Sequence, residues 1–534
     1  MKAPLRRWLL AGTAALLAFP AAAAAGPVAP PMVLPGDAAA ASARAASSTW
    51  IVGARPGAAA QTIARRFGAR AIGPRGTGGF VLAPSRARAF AAALRERGLL
   101  VYAQPDTIGR FLSVPDDPLS VPPNAWRGAV ADPAIDPPLV TPTSPLIALV
   151  DAQLDATHTE FVGSNTVTVP KFPVTIEHGT ATASVAAAPV NGRGIVGVWP
   201  NARALNVPLP EEITCSASAD GIGEAVARSA AVINMSYGSP SACFAEYVAI
   251  QFAVKAGAVP VAAAGNELDQ GNPLEFPASL PHVVTVAAIG LDGKGTGFSN
   301  ANAAVDLSAP GVSIMTAVPL ALDQEPPADG YEHQSGTSFS APMVAAAVAW
   351  LRAARPTLTP DRVVQAIRLS ALDTPPAGWD PATGFGVLSV ARALQFNPPP
   401  QDRGEPNDEI IWVDGQAFGK PSPLTFKGRK RAKVKGLLDV FEDPADVYRI
   451  KVRGHRTVKI TAKPGGPTDD LSLAVYKRNA KELRHPLKKS AHKGRRKTER
   501  IRLRNNGRRP KTYYVAVKVQ GIRDLDATYV LRVG

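Results

Sequence analysis

The sequence is poor in cysteine and in aromatic residues. Only two cysteines, Cys215 and Cys243, occur in 534 residues, which excludes a small scaffold held together by many disulfides. Phe, Trp and Tyr together make up 6% of the chain. Beyond the N-terminal stretch no run of about 18 or more apolar residues occurs, so no second membrane segment is expected. No internal repeat is found. Hydrophobic residues nevertheless reach 46%, enough for real cores and unlike a disordered chain. The length suits roughly three or four domains at ~150 residues each.

The N-terminus reads as a signal peptide over residues 1–25. Lys2, Arg6 and Arg7 form a charged start, Trp8 to Phe19 is an uncharged and largely apolar run, and an alanine tract ends at Ala25, before Gly26. Arg6-Arg7 also hints at twin-arginine export, but the flanks match it poorly. The expectation is a secreted protein, extracellular or associated with the cell wall. Export permits a Cys215–Cys243 disulfide, the reading preferred over two buried thiols. Charge is uneven. From Gln401 onward there are 33 Lys+Arg against 15 Asp+Glu, leaving 26 basic and 28 acidic residues in the rest. The net +16 of the chain therefore belongs to its C-terminal region.

Residues 26–47 are rich in Ala, Pro and Gly and read as an unstructured leader. Residues 48–110 form a small α+β pattern. Strands are expected at Thr49–Ala54, Gly79–Ala83 and Leu99–Ala103, with helices at Ala58–Phe67 and at Ser85–Arg97, the latter opened by Ser85 as cap. Residues 111–144 are Pro- and Asp-rich and read as a connector. From 145 to 396 continuous apolar runs alternate with Ala-rich helical stretches. The runs are Ile147–Val150, Ala204–Leu209, Ala231–Met235, Val259–Ala264 and Val283–Ile289. The helical stretches lie near 178–188, 217–229, 242–256 and 338–354. This is the pattern of an α/β fold, a parallel sheet covered by helices on both faces, and such sheets carry their sites at the carboxyl ends of strands. Residues 397–406, with Asn397-Pro-Pro-Pro400, read as a linker. Beyond it, over 407–534, the helical pattern disappears. Strand-like runs at Asp446–Val452, Thr457–Ala462, Leu471–Tyr476, Thr512–Val519 and Ala527–Val533 predict an antiparallel β-sandwich.

Four residues in the α/β region sit where amide hydrolysis would need them. Asp151 ends a buried strand, where a carboxylate can hold an imidazole in one tautomer. His178 starts a helix. Ser338 opens another, in Ser335-Gly-Thr-Ser-Phe-Ser-Ala-Pro342, and a helix N-terminus favours developing negative charge. Asn266 follows a strand, and its amide can donate to an oxyanion beside the Ser338 backbone N–H. Singly each is an ordinary turn or cap residue. Together, the order Asp, His, Asn, Ser matches one of the convergent triad arrangements. The serine is not in a Gly-x-Ser-x-Gly elbow and the order differs from that of α/β-hydrolases, which disfavours an esterase or lipase.

The region resembles a subtilisin-like (subtilase) serine peptidase domain. The resemblance is carried by Gly336-Thr-Ser-Phe-Ser-Ala-Pro-Met-Val344, Asn234-Met-Ser-Tyr-Gly238, Ala264-Gly-Asn266, Ser308-Ala-Pro-Gly311 and Gly384-Phe-Gly386. It implies that Ser338 is the nucleophile, His178 its base, Asp151 the orienting carboxylate and Asn266 the oxyanion donor. Ser236, Tyr237, Gly238 and Gly265 would bind substrate. Glu275 would lie at the floor of the S1 pocket with Glu267 at its edge, favouring a basic P1 residue. No cofactor is required. Structural calcium is implied, with Glu160 and Asn191 as candidate ligands. Two departures stand out. Asp151 is followed by Ala152-Gln153 where the family has Ser or Thr and then Gly, and Ala181 stands where the family often has a second histidine.

Residues 48–110 resemble the family's inhibitory propeptide, which implies a zymogen whose partners are its own propeptide and protein or peptide substrates. Cleavage would fall between about Pro105 and Pro118. The C-terminal region resembles β-sandwich modules appended to bacterial peptidases, opening at Glu405-Pro-Asn-Asp408. Its basic runs Lys427–Lys435 and Lys488–Lys497 suit anionic polymers such as cell-wall polymers, acidic glycans or nucleic acid. Aromatic stacking positions are few, which argues against sequence-specific nucleic-acid reading. The competing reading is an inactive scaffold serving as a cell-surface binding protein.

Overall fold

The structure is a computed structural model describing residues 46–72, 78–107, 117–120, 126–399, 404–428, 431–440, 443–466, 468–492, 497–520 and 526–534. The signal peptide, nearly all of the leader and most of the expected cleavage stretch lie outside these residues. The chain divides into two units, Met1–Leu112 and Ser113–Gly534.

The first unit contains β1 (Ala46–Ala54), α1 (Ala58–Phe67), β2 (Arg70–Ile72), β3 (Gly79–Leu82), α2 (Pro84–Glu96) and β4 (Leu100–Thr107), with an antiparallel sheet in the order β2-β3-β1-β4. Its core gathers Trp50, Val52, Ile63, Leu82 and Leu94 around Phe90, whose ring meets Phe80 edge-on at 5.6 Å. The expected Ser85 cap is a correction. Pro84 takes the first helical position, its fixed φ being suited to it, and Ala83 precedes it without a side-chain bond.

The second unit opens with α3 (Trp126–Val130), a correction to the connector reading. Trp126 and Val130 are almost fully buried, so part of that segment belongs to the core. Next come β5 (Ile147–Asp151), β6 (Thr166–Thr168), α4 (His178–Ala187), β7 (Ala204–Pro208), α5 (Cys215–Ala227), β8 (Val232–Met235), α6 (Phe244–Ala256), β9 (Val259–Ala263), β10 (Val284–Ile289) and β11 (Leu307–Pro310). The sheet order is β11-β10-β9-β8-β5-β7-β6, and every pairing in it is parallel. Alternation along β5 shows why both faces are covered. Ile147 and Leu149 pack with α4 and the helix α7 (Thr337–Ala354), whereas Ala148 and Val150 pack with α5 and α6. A Cys215–Cys243 disulfide joins the starts of α5 and α6. A hairpin of β12 (Ile314–Ala317) and β13 (Tyr331–Gln334) precedes α7, and α8 (Pro360–Leu369) and α9 (Val390–Gln395) follow it.

Past residue 397 one helix does persist, α10 (Ile410–Asp414). Its Trp412 is buried and meets Tyr247 of α6 edge-on at 5.4 Å. The strands β14 (Ala432–Asp439), β15 (Ala445–Val452), β16 (Thr457–Pro464), β17 (Leu471–Lys477), β18 (Lys488–Ser490), β19 (Glu499–Arg504), β20 (Lys511–Val519) and β21 (Asp526–Val533) form two antiparallel sheets, β14-β21-β16-β19 and β15-β20-β17-β18. Their facing apolar rows make one core. The sandwich is joined to the α/β region by a buried guanidinium. Arg368 of α8 lies 2.7 Å from Asp306 and 2.9 Å from Asp439 of β14.

Candidate active site

Asp151, the last residue of β5, is buried at the carboxyl end of a central strand. Three donors converge on its carboxylate. His178 Nδ1 lies 2.6 Å from Oδ1, the Ala152 N–H donates to Oδ1 at 2.7 Å, and the Thr182 hydroxyl donates to Oδ2 at 3.0 Å. Thr182 escaped the sequence reading. It lies one turn after His178 on α4, so the two side chains share a face, and a hydroxyl at that offset in an alanine-rich helix is the signal that could have found it. Thr182 also answers the first departure, because it supplies a hydroxyl to Asp151 where residue 152 has none. Gln153 is used elsewhere. Its carbonyl accepts from Lys171 N and Phe172 N, and its amide donates to Thr168 at 2.7 Å. Ala181 is a fully buried core residue of α4. Gly179 lets α4 approach this strand end, since a Cβ there would lie 2.1 Å from the Ala152 carbonyl oxygen.

His178 is only partly exposed. Burial alone would push its pKa down, but the Asp151 charge and hydrogen bond, helped by Glu177, hold it above the ordinary imidazole value. Its ring leans against Phe339, the residue after Ser338, at 5.9 Å between centroids, and among the described residues it forms no hydrogen bond with Ser338, whose hydroxyl bonds to Ser236.

Ser338 is the second residue of α7, where backbone N–H groups have no helical acceptor. Its Oγ donates to the Ser236 carbonyl at 3.3 Å, and Ser236 Oγ donates back to the Ser338 carbonyl at 2.9 Å. That carbonyl is available because Pro342, four residues on, has no N–H to offer it. Asn234 Nδ2 holds Ser236 Oγ from behind at 3.0 Å. Asn266 is held through its oxygen, which accepts from the Thr337 N–H at 2.9 Å and the Thr337 hydroxyl at 3.0 Å. With Oδ1 so engaged, Nδ2 is the amide atom left to donate.

Glu275 lies between Gly238 and Gly265. A Cβ on Gly238 would sit 2.7 Å from its Oε2, and one on Gly265 would sit 2.7 Å from its Cγ. The residue is 5% exposed, and among the described residues its carboxylate has no cation within ion-pair distance. Burial, and then the charge of Glu267, push it up to about 7. Glu267 itself accepts from Asn266 N at 2.7 Å. The Tyr237 side chain turns to Ser218, with its hydroxyl 2.7 Å away.

The expected calcium ligands Glu160 and Asn191 do meet, but each Glu160 oxygen is taken by donors. Asn191 Nδ2 donates to Oε1 at 3.2 Å, and the Tyr331 hydroxyl and Ile195 N–H donate to Oε2. Such a set fits a cation poorly. A second oxygen-rich group forms at the start of the sandwich, where Glu405, Asp443 and Asp446 present carboxylate oxygens within 4.8 Å of one another. Asp408 lies beside Glu405 with a buried Oδ1 that has no hydrogen bond.

The comparisons with known proteins agree with this geometry. A profile of the Subtilase family matches residues 143–386. Subtilisin DY of Bacillus licheniformis is 30% identical over 258 residues, which is 47% of this chain and 90% of the relative. Fervidolysin of Fervidobacterium pennivorans is 29% identical over 52% of this chain and 45% of its own length. A probable subtilase-type serine protease of Deinococcus radiodurans is 31% identical over 55% and 42%. The chain thus spans less than half of the last two relatives. With the parallel sheet, the spacing of Asp151 and His178, and a near-complete match to a subtilisin, the chain belongs to the subtilase family.

Proposed function

We propose that the chain is a secreted serine endopeptidase, made as a zymogen, that cleaves peptide bonds through an acyl-enzyme. The observation that carries this reading is the 2.6 Å pair of Asp151 and His178 beside a serine at a helix start. In the proposed cycle Ser338 Oγ attacks the scissile carbonyl while His178 takes its proton, and Asp151 stabilises the imidazolium. The Ser338 N–H and Asn266 Nδ2 hold the oxyanion, and the proton returns to the leaving amine. Substrate lies as an added strand along Ser236–Gly238. Covalent labelling by a fluorophosphonate, absent from Ser338→Ala, tests this. An unlabelled wild-type chain would leave the inactive-scaffold reading standing. Secretion is supported by the N-terminal pattern, and among the described residues no helix is long and apolar enough to cross a membrane. The unit at 48–110 is proposed to assist folding and then to inhibit until it is cut away.

Glu275 and Glu267 are proposed to select a Lys or Arg at P1. Glu275 loses its proton near pH 7, so the ratio of kcat/KM for Arg-P1 over Met-P1 substrates is expected to rise as pH passes upward through about 7. The ratio cancels the titration of His178, which both substrates share. At pH 8.5, Glu275→Gln should lower that ratio by ten- to a hundredfold, about 1.4–2.8 kcal/mol, as expected for one charge-assisted hydrogen bond. A peptide library cleaved without enrichment of Lys or Arg at P1 ends the proposal.

A divalent cation is proposed at Glu405, Asp443 and Asp446, three carboxylates of the kind calcium takes, while Asp408, beside Glu405, is already paired with His282 at 3.1 Å. Chelation should lower the melting midpoint by several degrees, and added calcium should restore it. A midpoint indifferent to both removes the site.

A further inference from the structure

Eight of the 33 Lys and Arg residues from Gln401 onward share one face of the sandwich. In the sheet β14-β21-β16-β19 the residues alternate between the core and solvent, and the outward set is basic. Lys433 stands directly opposite Arg532, and Lys459 directly opposite Arg502. Arg500 and Arg504 extend the same face on β19, and Lys435 and Lys463 flank Val530. All eight basic side chains are exposed, and among the described residues none forms an ion pair. The single acid of β19, Glu499, points inward to Ser490 and His492. At one end of β14 Asp439, on the same alternation as Lys433 and Lys435, is buried against Arg368, and among the described residues no aromatic side chain occupies an outward position on this sheet.

Like charges placed directly opposite across strands are destabilising. A sheet needs no such pairs to fold, so the arrangement carries a cost that bound anions would offset. Strands about 4.8 Å apart and same-face residues about 7 Å apart along each strand make a flat lattice of cations. That lattice complements a linear polyanion and not a single small anion. The remaining outward residues narrow the class. There is no aromatic platform on which a nucleobase could stack. The outward apolar residues among those described, Leu437 and Val530, are half-buried and too few to anchor a protein partner or enter a membrane. Thr457 and Thr461 stand opposite Arg504 and Arg500 on the same face and offer hydroxyls of the type that pair with sugar hydroxyls.

We propose that this sheet face is a docking surface for an acidic polysaccharide, tethering the chain to a glycan matrix independently of the peptidase site. The probe is soluble polygalacturonate, titrated against the full chain carrying Ser338→Ala so that it stays intact. Binding is expected to weaken at least about tenfold between 50 and 200 mM salt, as contacts that release counterions do. Lys459→Glu with Arg502→Glu should cost tenfold or more at fixed salt. Lys420→Glu with Lys481→Glu changes the net charge equally at exposed positions off this face and should cost less than twofold. An unchanged melting midpoint shows that both variants remain folded. Equal losses for the two double variants, no binding, or tighter binding to a single-stranded oligonucleotide or to anionic vesicles would overturn the proposal.

Discussion

Ser338→Ala is expected to lower peptide-bond hydrolysis by about 10⁶-fold, the scale seen when the nucleophile of such a unit is removed. The fold should hardly notice. Ser338 Oγ makes one 3.3 Å bond, to the Ser236 carbonyl, and the reciprocal bond from Ser236 goes to a backbone atom that the substitution leaves in place. The loss is therefore chemical, and a thermal melt near that of the parent would show it. Intact mass of the purified protein supplies a second reading. If removal of the N-terminal unit is autocatalytic, the alanine chain keeps it. Hydrolysis within tenfold of the parent would sink the assignment.

The second large effect belongs to Asp151. Asp151→Asn is expected to cost about 10⁴-fold in kcat. The carboxylate accepts from three donors on two oxygens. An asparagine keeps one oxygen, and its N–H₂ can be received by His178 Nδ1 only in the wrong tautomer. His178 then loses both its tautomer control and its charge partner. The pH profile isolates this. Catalysis needs the neutral imidazole, so activity appears as pH rises through the His178 pKa. In the parent that limb lies above the ordinary imidazole value, because Asp151 outweighs burial. Without the Asp151 charge, burial is opposed only by the more weakly acting Glu177, and the limb moves down. Thr182→Val should cost about tenfold in kcat, the scale of one hydrogen bond to a charged group. A limb that stays put in Asp151→Asn would remove Asp151 from the base.

The elements that were legible in the sequence are those whose signal is local. The buried runs ending at Asp151 and Met235 and the helices beginning near His178 and Ser338 stand within a few residues of their expected bounds. What was not legible depends on distant partners. Strands of three or four residues, such as Thr166–Thr168 and Leu307–Pro310, exist because a neighbouring strand accepts them. Glu499–Arg504 alternates cleanly, yet it directly follows a dense run of charge that masked its period. Trp126–Val130 and Ile410–Asp414 are short helices inside stretches rich in turn residues, and burial of one tryptophan in each fixes them. Within the candidate site, Thr182 and the double anchoring of Asn266 by Thr337 are contacts between elements 31 and 71 residues apart. The one-turn offset of Thr182 from His178 places it on the same face, but nothing in the spacing announces that Thr337 holds Asn266.

Pro342 offers a control point for protein engineering. Any other residue at that position would restore a helical N–H to the Ser338 carbonyl and set it in competition with Ser236 Oγ. The joint between the substrate-pairing segment and the nucleophile helix would then slacken while every reacting atom stayed in place. Substitutions at 342 therefore form a dial on turnover that leaves the chemistry untouched. A library at that one codon would vary the joint alone.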